Sequence, residues 1–311
     1  MISYMLKNKG LISMLASLFF RRKFFIFFKI LYACFAVATS EIMPIENNYS
    51  KDIQDIIAKG KLIVAVLKID NPPFFMSTPD GKLDGIDIEL SEKIAKELGV
   101  TLEINRTAQT YDEVVNLVAT GKADLGVSKL SYTDERAKKV LYTKPYATFR
   151  KAMLVNRLAY AGIKRTRQAN SLSELFSQLD SKIGVVKKSS YVDFARNIFP
   201  NASIHEVENW DPIGIDSLLQ GKILALFRDE IETRKFLLAR PDANLKLLSL
   251  IIKSQQDSIR MVVPRNRLHF LLWINGFLET NQIQYDADMI LKKNEKYLQK
   301  LNELQGTINH K

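Results

Sequence analysis

Two segments about 100 residues apart carry the same plan, and that repetition limits the fold more than any other feature of the chain. Leu117-Val-Ala-Thr-Gly-Lys-Ala-Asp-Leu-Gly-Val and Leu218-Leu-Gln-Gly-Lys-Ile-Leu-Ala-Leu-Phe each read as a helix end, a Gly-Lys stop and a buried strand. Lys61-Leu-Ile-Val-Ala-Val-Leu and Lys182-Ile-Gly-Val-Val-Lys form a second matched pair, in the same order. Short apolar runs alternate with helical patterns throughout, so the chain reads as α/β. Leu62–Leu67 reads as a buried strand, and Asp87–Leu98 as a helix with Leu90, Ile94 and Leu98 on one stripe, stopped by Gly99. Thr110-Tyr-Asp-Glu113 and Ser171-Leu-Ser-Glu174 are capping boxes opening helices. Asp211-Pro212 reads as a cap and first-turn proline for a helix that Gly221 ends. Ile259–Val263 reads as a strand, and Arg267–Leu278 and Asp286–Leu301 as amphipathic helices. Two similar lobes then present the carboxyl ends of their strands to a shared cleft.

Charge and cysteine content narrow the function classes. The 311 residues carry a net charge of +11. Residues 1–38 hold Lys7, Lys9, Arg21, Arg22, Lys23 and Lys29 and no acid, leaving 39 basic against 34 acidic residues, a balance of +5. No block interleaves basic and aromatic residues in the manner of a nucleic-acid binder, so no nucleic-acid partner is expected. Cys34 is the only cysteine, and His205, His269 and His310 are scattered without ligand spacing, so neither a metal site nor any other cofactor is expected.

Residues 1–38 read as a signal peptide. Arg21-Arg-Lys-Phe-Phe-Ile-Phe-Phe-Lys29 begins basic, continues apolar through Leu31 and Val37, and closes on the small residues Ala36 and Ala38. Lys29 keeps the apolar run short of the ~20 residues of a membrane span. Export to the periplasm with cleavage after Ala38 is the first reading. Lipid anchoring at Cys34, an uncleaved anchor and a twin-arginine signal at Arg21-Arg22 stay open beside it. The body divides into a linker with a first helix (39–58), one lobe (59–150 plus 256–311) and a second lobe (151–255).

The candidate site lies where strands end. Ala123–Lys129 runs as a buried strand into Ser128 and Ser131, then turns into a helix at Thr133 with Arg136 in its first turn. Hydroxyls, backbone N–H groups and a guanidinium converging at such a junction suit a carboxylate. Ile223-Leu-Ala-Leu-Phe-Arg-Asp-Glu230 repeats the plan with the opposite charge, delivering Asp229 at a strand end, where it also suits the N-cap of the helix that follows. A cation on one lobe and an anion on the other describe a socket for a zwitterion.

Asn71-Pro-Pro-Phe74, Asp80-Gly-Lys-Leu-Asp-Gly-Ile-Asp-Ile-Glu-Leu90, Leu130-Ser-Tyr-Thr-Asp-Glu-Arg136 and Arg228-Asp-Glu230 are similar to matching pieces of the extracellular solute-binding proteins of polar amino-acid ABC importers. The likeness runs from about Lys59 to about Leu301. It implies a two-lobed periplasmic binding protein type II fold, with a ligand cleft between lobes joined by two crossover strands. It further implies a monomer that binds a polar amino acid reversibly by hinge closure, serves an inner-membrane ABC permease and has no catalytic residues. Carried onto this chain, Arg136 holds the ligand α-carboxylate with help from Ser131, Asp229 takes the α-ammonium, and Phe74 and Tyr111 wall the side-chain pocket. Ser189 reaches across from the second lobe. Ser128, read from its place on the strand, either satisfies strand-end backbone or touches the ligand. The chain departs from the pattern at Lys188-Ser189-Ser190, where relatives carry Gly-Thr, so Ser189 also reads as the cap of a helix over Tyr191–Ile198. It departs again at Lys129, which stands where relatives favour a small residue, and at Lys68. Extra cations beside a pocket favour a ligand with an anionic or polar side chain. An exported dehydratase on the same scaffold and a ligand-sensing module are the alternative readings. Amino-terminal sequencing of the exported protein is expected to begin at Thr39; a chain that keeps Arg21–Ala38 would show an anchor instead.

Overall fold

A computed structural model of the chain describes residues 49–178 and 181–297, and the described residues from Ser50 onward form one compact unit. The leader with Cys34, the linker as far as residue 48, His310 and the end of the helix expected over Asp286–Leu301 lie outside the described residues. Among the described residues, eight strands form one mixed sheet in the order β4–β1–β5–β10–β6–β9–β7–β8. On one side stand β4 (Thr101–Asn105), β1 (Lys61–Ala65) and β5 (Leu125–Ser131), mutually parallel. On the other stand β9 (Ala225–Asp229), β7 (Lys182–Val186) and β8 (Ser203–Val207), again parallel. Between them run β10 (Leu247–Pro264) and β6 (Val140–Asn156), antiparallel to each other and to their outer neighbours. A two-stranded hairpin, β2 (Met76–Ser77) with β3 (Leu83–Asp84), sits apart.

The two central strands are 18 and 17 residues long, beyond the usual range, because each serves two cores. Tyr146, Ala147 and Phe149 of β6 and Ile259, Met261, Val262 and Val263 of β10 join one apolar cluster with Leu62, Val64, Val127 and Ile274. Further along β6, Met153 and Val155 join a second cluster with Ile183 and Phe227, while Leu154 joins a third with Leu226 and Ile223. That alternation is the period of two that places successive strand side chains on opposite faces. The β6–β10 ladder shifts register between Ile251 and Gln256, where the strands pass from one set of clusters to the other.

Helices form largely where their end signals stand. Thr110 accepts from the backbone N–H of Glu113, and Ser171 from that of Glu174, opening α3 (Tyr111–Ala119) and α6 (Leu172–Phe176). The other helices of this part are α1 (Lys51–Lys59), α2 (Ile86–Glu97), the single turn α4 (Asp134–Ala137) and α5 (Arg157–Thr166). The matched Gly121 and Gly221 adopt left-handed φ of 71° and 69° before β5 and β9 respectively, so the sequence echo is a structural echo. The second half supplies α7 (Ser190–Ile198), α8 (Ile215–Leu219) and α9 (Glu230–Ala239). The chain continues into α10 (Leu268–Thr280) and a helix whose described part is 287–297. Two expectations fail. Asp211 does not cap its helix: Asn209 accepts from Ile213 N–H, and a wide turn over Trp210–Gly214 precedes α8. Ser189 does not cap α7 through its side chain either, because its hydroxyl donates to the Val186 carbonyl at 2.6 Å.

Gly85 opens α2 at φ 128°, and a Cβ there would lie 2.4 Å from the Phe74 carbonyl oxygen. Gly85→Ala is therefore expected to destabilise the protein by at least ~2 kcal/mol, read as a lowered urea midpoint. Gly162→Ala, within α5 and with nothing inside 4 Å of the added methyl, is expected to stabilise by about 0.5–1 kcal/mol in the same assay.

Candidate functional site

The carboxyl ends of β5 and β9 approach each other head-on. Ser131, at the end of β5, is in register with Ile259, which pairs with Ala147 of β6; Asp229, at the end of β9, pairs with Lys151 of the same strand. Four residues of β6 separate the two stations, roughly 13 Å of extended chain. Between them lies a small cavity of about 20 Å³, room for one water, bordered by Tyr111, Lys129, Ser131, Arg136, Arg228 and Asp229. It adjoins a wider cleft of about 650 Å³ through Tyr111, Ser189 and Arg228, and a second of about 350 Å³ through Arg136 and Ser189.

Arg136 is buried, but its bonds leave it able to exchange partners. Its Nε donates to Asp112 Oδ1 at 2.8 Å, its Nη1 lies 3.4 Å from the Ser131 carbonyl, and its guanidinium carbon lies 6.0 Å from the Tyr111 ring. The Asp112 side chain is 58 % exposed, so another carboxylate can displace it cheaply. Tyr111 is held by Asn71, which donates to its hydroxyl at 3.2 Å. Ser131 donates at 2.9 Å to Asp257 Oδ2, which also accepts from the Tyr191 hydroxyl at 2.8 Å. Burial pushes the Asp257 carboxyl up, and its other oxygen has no hydrogen-bond partner among the described residues.

Asp229 does cap α9, its Oδ1 accepting from Glu232 N–H at 2.9 Å. Its Oδ2, expected to receive a ligand ammonium, instead lies 3.1 Å from the Lys129 Nζ. The same ammonium donates to Glu232 Oε1 at 2.7 Å and stands 4.9 Å and 5.5 Å from the ring centres of Phe74 and Phe149. Burial alone pushes the Lys129 ammonium down, but the Asp229 and Glu232 carboxylates outweigh it and hold it above its ordinary range. Glu232 is likewise held well below the carboxylate range, as Lys129, Lys235 and Arg228 overcome its burial.

Two predicted contacts are corrected. Phe74 lines none of the three cavities; it is wholly buried, packs edge-on to Phe149 and backs the Lys129 ammonium. Ser128 is equally buried, and its hydroxyl accepts from Leu67 N–H at 3.0 Å, satisfying strand backbone. Among the described residues no group of three or more His, Cys, Asp or Glu is placed to hold a metal ion, and no helix is long and apolar enough to cross a membrane.

Comparison with known proteins decides the family. The model of the bacterial extracellular solute-binding proteins, family 3, matches residues 62–309. The chain belongs to that family. A probable histidine-binding protein of Campylobacter jejuni is 27 % identical over 221 residues, covering 71 % of this chain and 79 % of that protein. The L-cystine-binding protein TcyJ of Escherichia coli K12 is 25 % identical over 173 residues, covering 56 % and 60 %. An amino acid ABC transporter substrate-binding protein, AbpA of Streptococcus pneumoniae, solved with L-arginine, aligns at a TM-score of 0.59 and 27 % identity, covering 78 % of this chain and 98 % of that one. The fold is the two-lobed binding-protein fold that the sequence led us to expect.

In this solute-binding protein the sequence reading passed over Glu232, Arg228, Asp257 and Asp87. Glu232 had a signal, since Asp229-x-x-Glu232 is the spacing of a capping box. Asp87 matters because its Oδ2 accepts from the Lys129 backbone N–H at 2.8 Å while its Oδ1 accepts from the Tyr146 hydroxyl at 2.7 Å. Burial pushes this carboxyl up to about 7 despite those bonds. The folded chain therefore keeps a proton that the unfolded chain releases near pH 4, and the contribution of Asp87 to stability falls as pH rises through that window. Relative to Asp87→Asn, the wild type is expected to lose stability from about pH 4 to about pH 7 and to level off above, in urea unfolding across a pH series. A difference that grows with pH would contradict the buried, protonated assignment.

Proposed function

We propose that this protein is the periplasmic receptor of an ABC-type importer, capturing a small polar carboxylate of amino-acid size and presenting it to an inner-membrane permease without covalent chemistry. The observation that carries the reading is the meeting, in one cavity, of Arg136 and Tyr111 from the first half of the sheet with Arg228 and Asp229 from the second. The relatives named for histidine and cystine, and the one solved with L-arginine, support the same class of ligand.

The ligand carboxylate replaces Asp112 on Arg136, where a guanidinium gives two parallel charge-assisted bonds. The lobe formed by residues 151–255 closes on the lobe formed by 59–150 and 256–311, bending where the β6–β10 ladder loses register between Ile251 and Gln256. Closure is favoured only by contacts that exist in the shut form, with Tyr111 and Ser189 on facing walls of the wider cleft. The protein then acts as a monomer and needs no cofactor.

A thermal-shift screen of the twenty amino acids, common dicarboxylates and related acids, followed by calorimetric titration, identifies the ligand. Arg136→Ala is expected to weaken binding on the order of 100-fold or more, since truncating one partner of a desolvated charge pair costs ~2–5 kcal/mol. Lys122→Ala, on an exposed turn, is expected to leave affinity unchanged. Unaltered affinity in Arg136→Ala would overturn the assignment.

A further inference from the structure

Lys129 has a placement that a receptor for ordinary amino acids does not need. It holds φ at 46°, the left-handed region that suits glycine and strains a long side chain. Its backbone is fixed there by Asp87, and its side chain runs from the end of β5 to the end of β9, between residues 100 positions apart. The ε-ammonium ends 3.1 Å from Asp229 Oδ2, while Asp229 Oδ1 already accepts from Glu232 N–H. An arriving α-ammonium that sought this carboxylate would stand beside a like charge in space that holds about one water.

Resting on the receptor reading above, we infer that the ligand of this protein is a small carboxylic acid without an α-ammonium group, an α-keto or α-hydroxy acid, whose α-oxygen accepts from Lys129. A lysine ammonium offers three N–H donors, and Asp229 and Glu232 take two. Where an open Asp229 would present an acceptor to the α-substituent, Lys129 presents a donor; the unpartnered carboxylate oxygen in the lining, Asp257 Oδ1, is itself buried. Arg228 adds another: its Nε is buried without a hydrogen-bond partner among the described residues, 3.8 Å from Asp229 Oδ2 and so beyond bonding distance. The side chain borders both the cavity and the wider cleft.

Calorimetric titration of the wild-type protein with matched sets tests this: glutamate against 2-oxoglutarate and 2-hydroxyglutarate, alanine against pyruvate and lactate, phenylalanine against phenylpyruvate and phenyllactate. In whichever set binds, the oxo or hydroxy member is expected to bind at least tenfold tighter than the amino member. Lys129→Gly, which suits the left-handed backbone and opens Asp229, is expected to reverse that order. An amino member that binds the wild type as tightly as its oxo partner overturns the inference, whether or not the variant folds. If that binding is lost in Arg136→Ala, the receptor reading stands and the ligand class alone falls. If no member of any set binds while the thermal-shift screen identifies an amino acid, the ligand class falls and the receptor reading stands; if neither assay finds a ligand, both fall together.

Discussion

Two strands of 17 and 18 residues, β6 and β10, pair antiparallel through both halves of the sheet and hold those halves in fixed register. Every feature of the site follows from that pairing. It sets Ser131 and Asp229 at stations four residues apart on β6, so that β5 and β9 point their carboxyl ends at a common space. The distance is short enough for the Lys129 side chain from β5 to meet the Asp229 side chain from β9. The widest break in the ladder, between Ile251 and Gln256, falls where the strands pass between cores.

The second constraint is electrostatic. Asp229, Lys129, Glu232 and Lys235 form a chain of alternating charge in which the first two are almost wholly buried. Such a cluster contributes little net stability, because desolvation offsets most of the attraction, yet removing one member leaves a buried charge unpaired at a cost of about 3–5 kcal/mol. Its effect is to fix a geometry. Asp87 belongs to the same arrangement, since it anchors the strained backbone from which Lys129 reaches out.

Local chemistry was legible in the amino-acid sequence wherever it rested on neighbours a few residues apart. The caps at Thr110, Ser171 and Asp229 work through the backbone three positions on, and the glycine stops at 121 and 221 need only a left-handed φ. Arg136 was legible because hydroxyls and a helix start crowd around it. Asp211-Pro212 misled for a local reason too: Asn209, two residues earlier, competes for the same turn and wins. The long central strands were only partly visible. Ile259–Val263 reads as a strand, but Lys253, Gln255, Gln256 and Asp257 interrupt the apolar pattern of β10 where it crosses between cores.

By itself, then, the sequence determined an α/β chain with a repeated helix–glycine–strand unit, and it placed a guanidinium and a carboxylate at corresponding strand ends. Those features depend on backbone propensity and short-range hydrogen bonds, which a linear pattern records. What occupies the carboxylate was decided by tertiary structure alone. Lys129 and Asp229 are 100 residues apart, and Ser131 and Asp257 126 apart, so only the sheet's register brings each pair within hydrogen-bond reach. Whether a lysine at a strand end faces water or fills a socket depends on that register, because the charge needs a partner only once burial has removed its solvent.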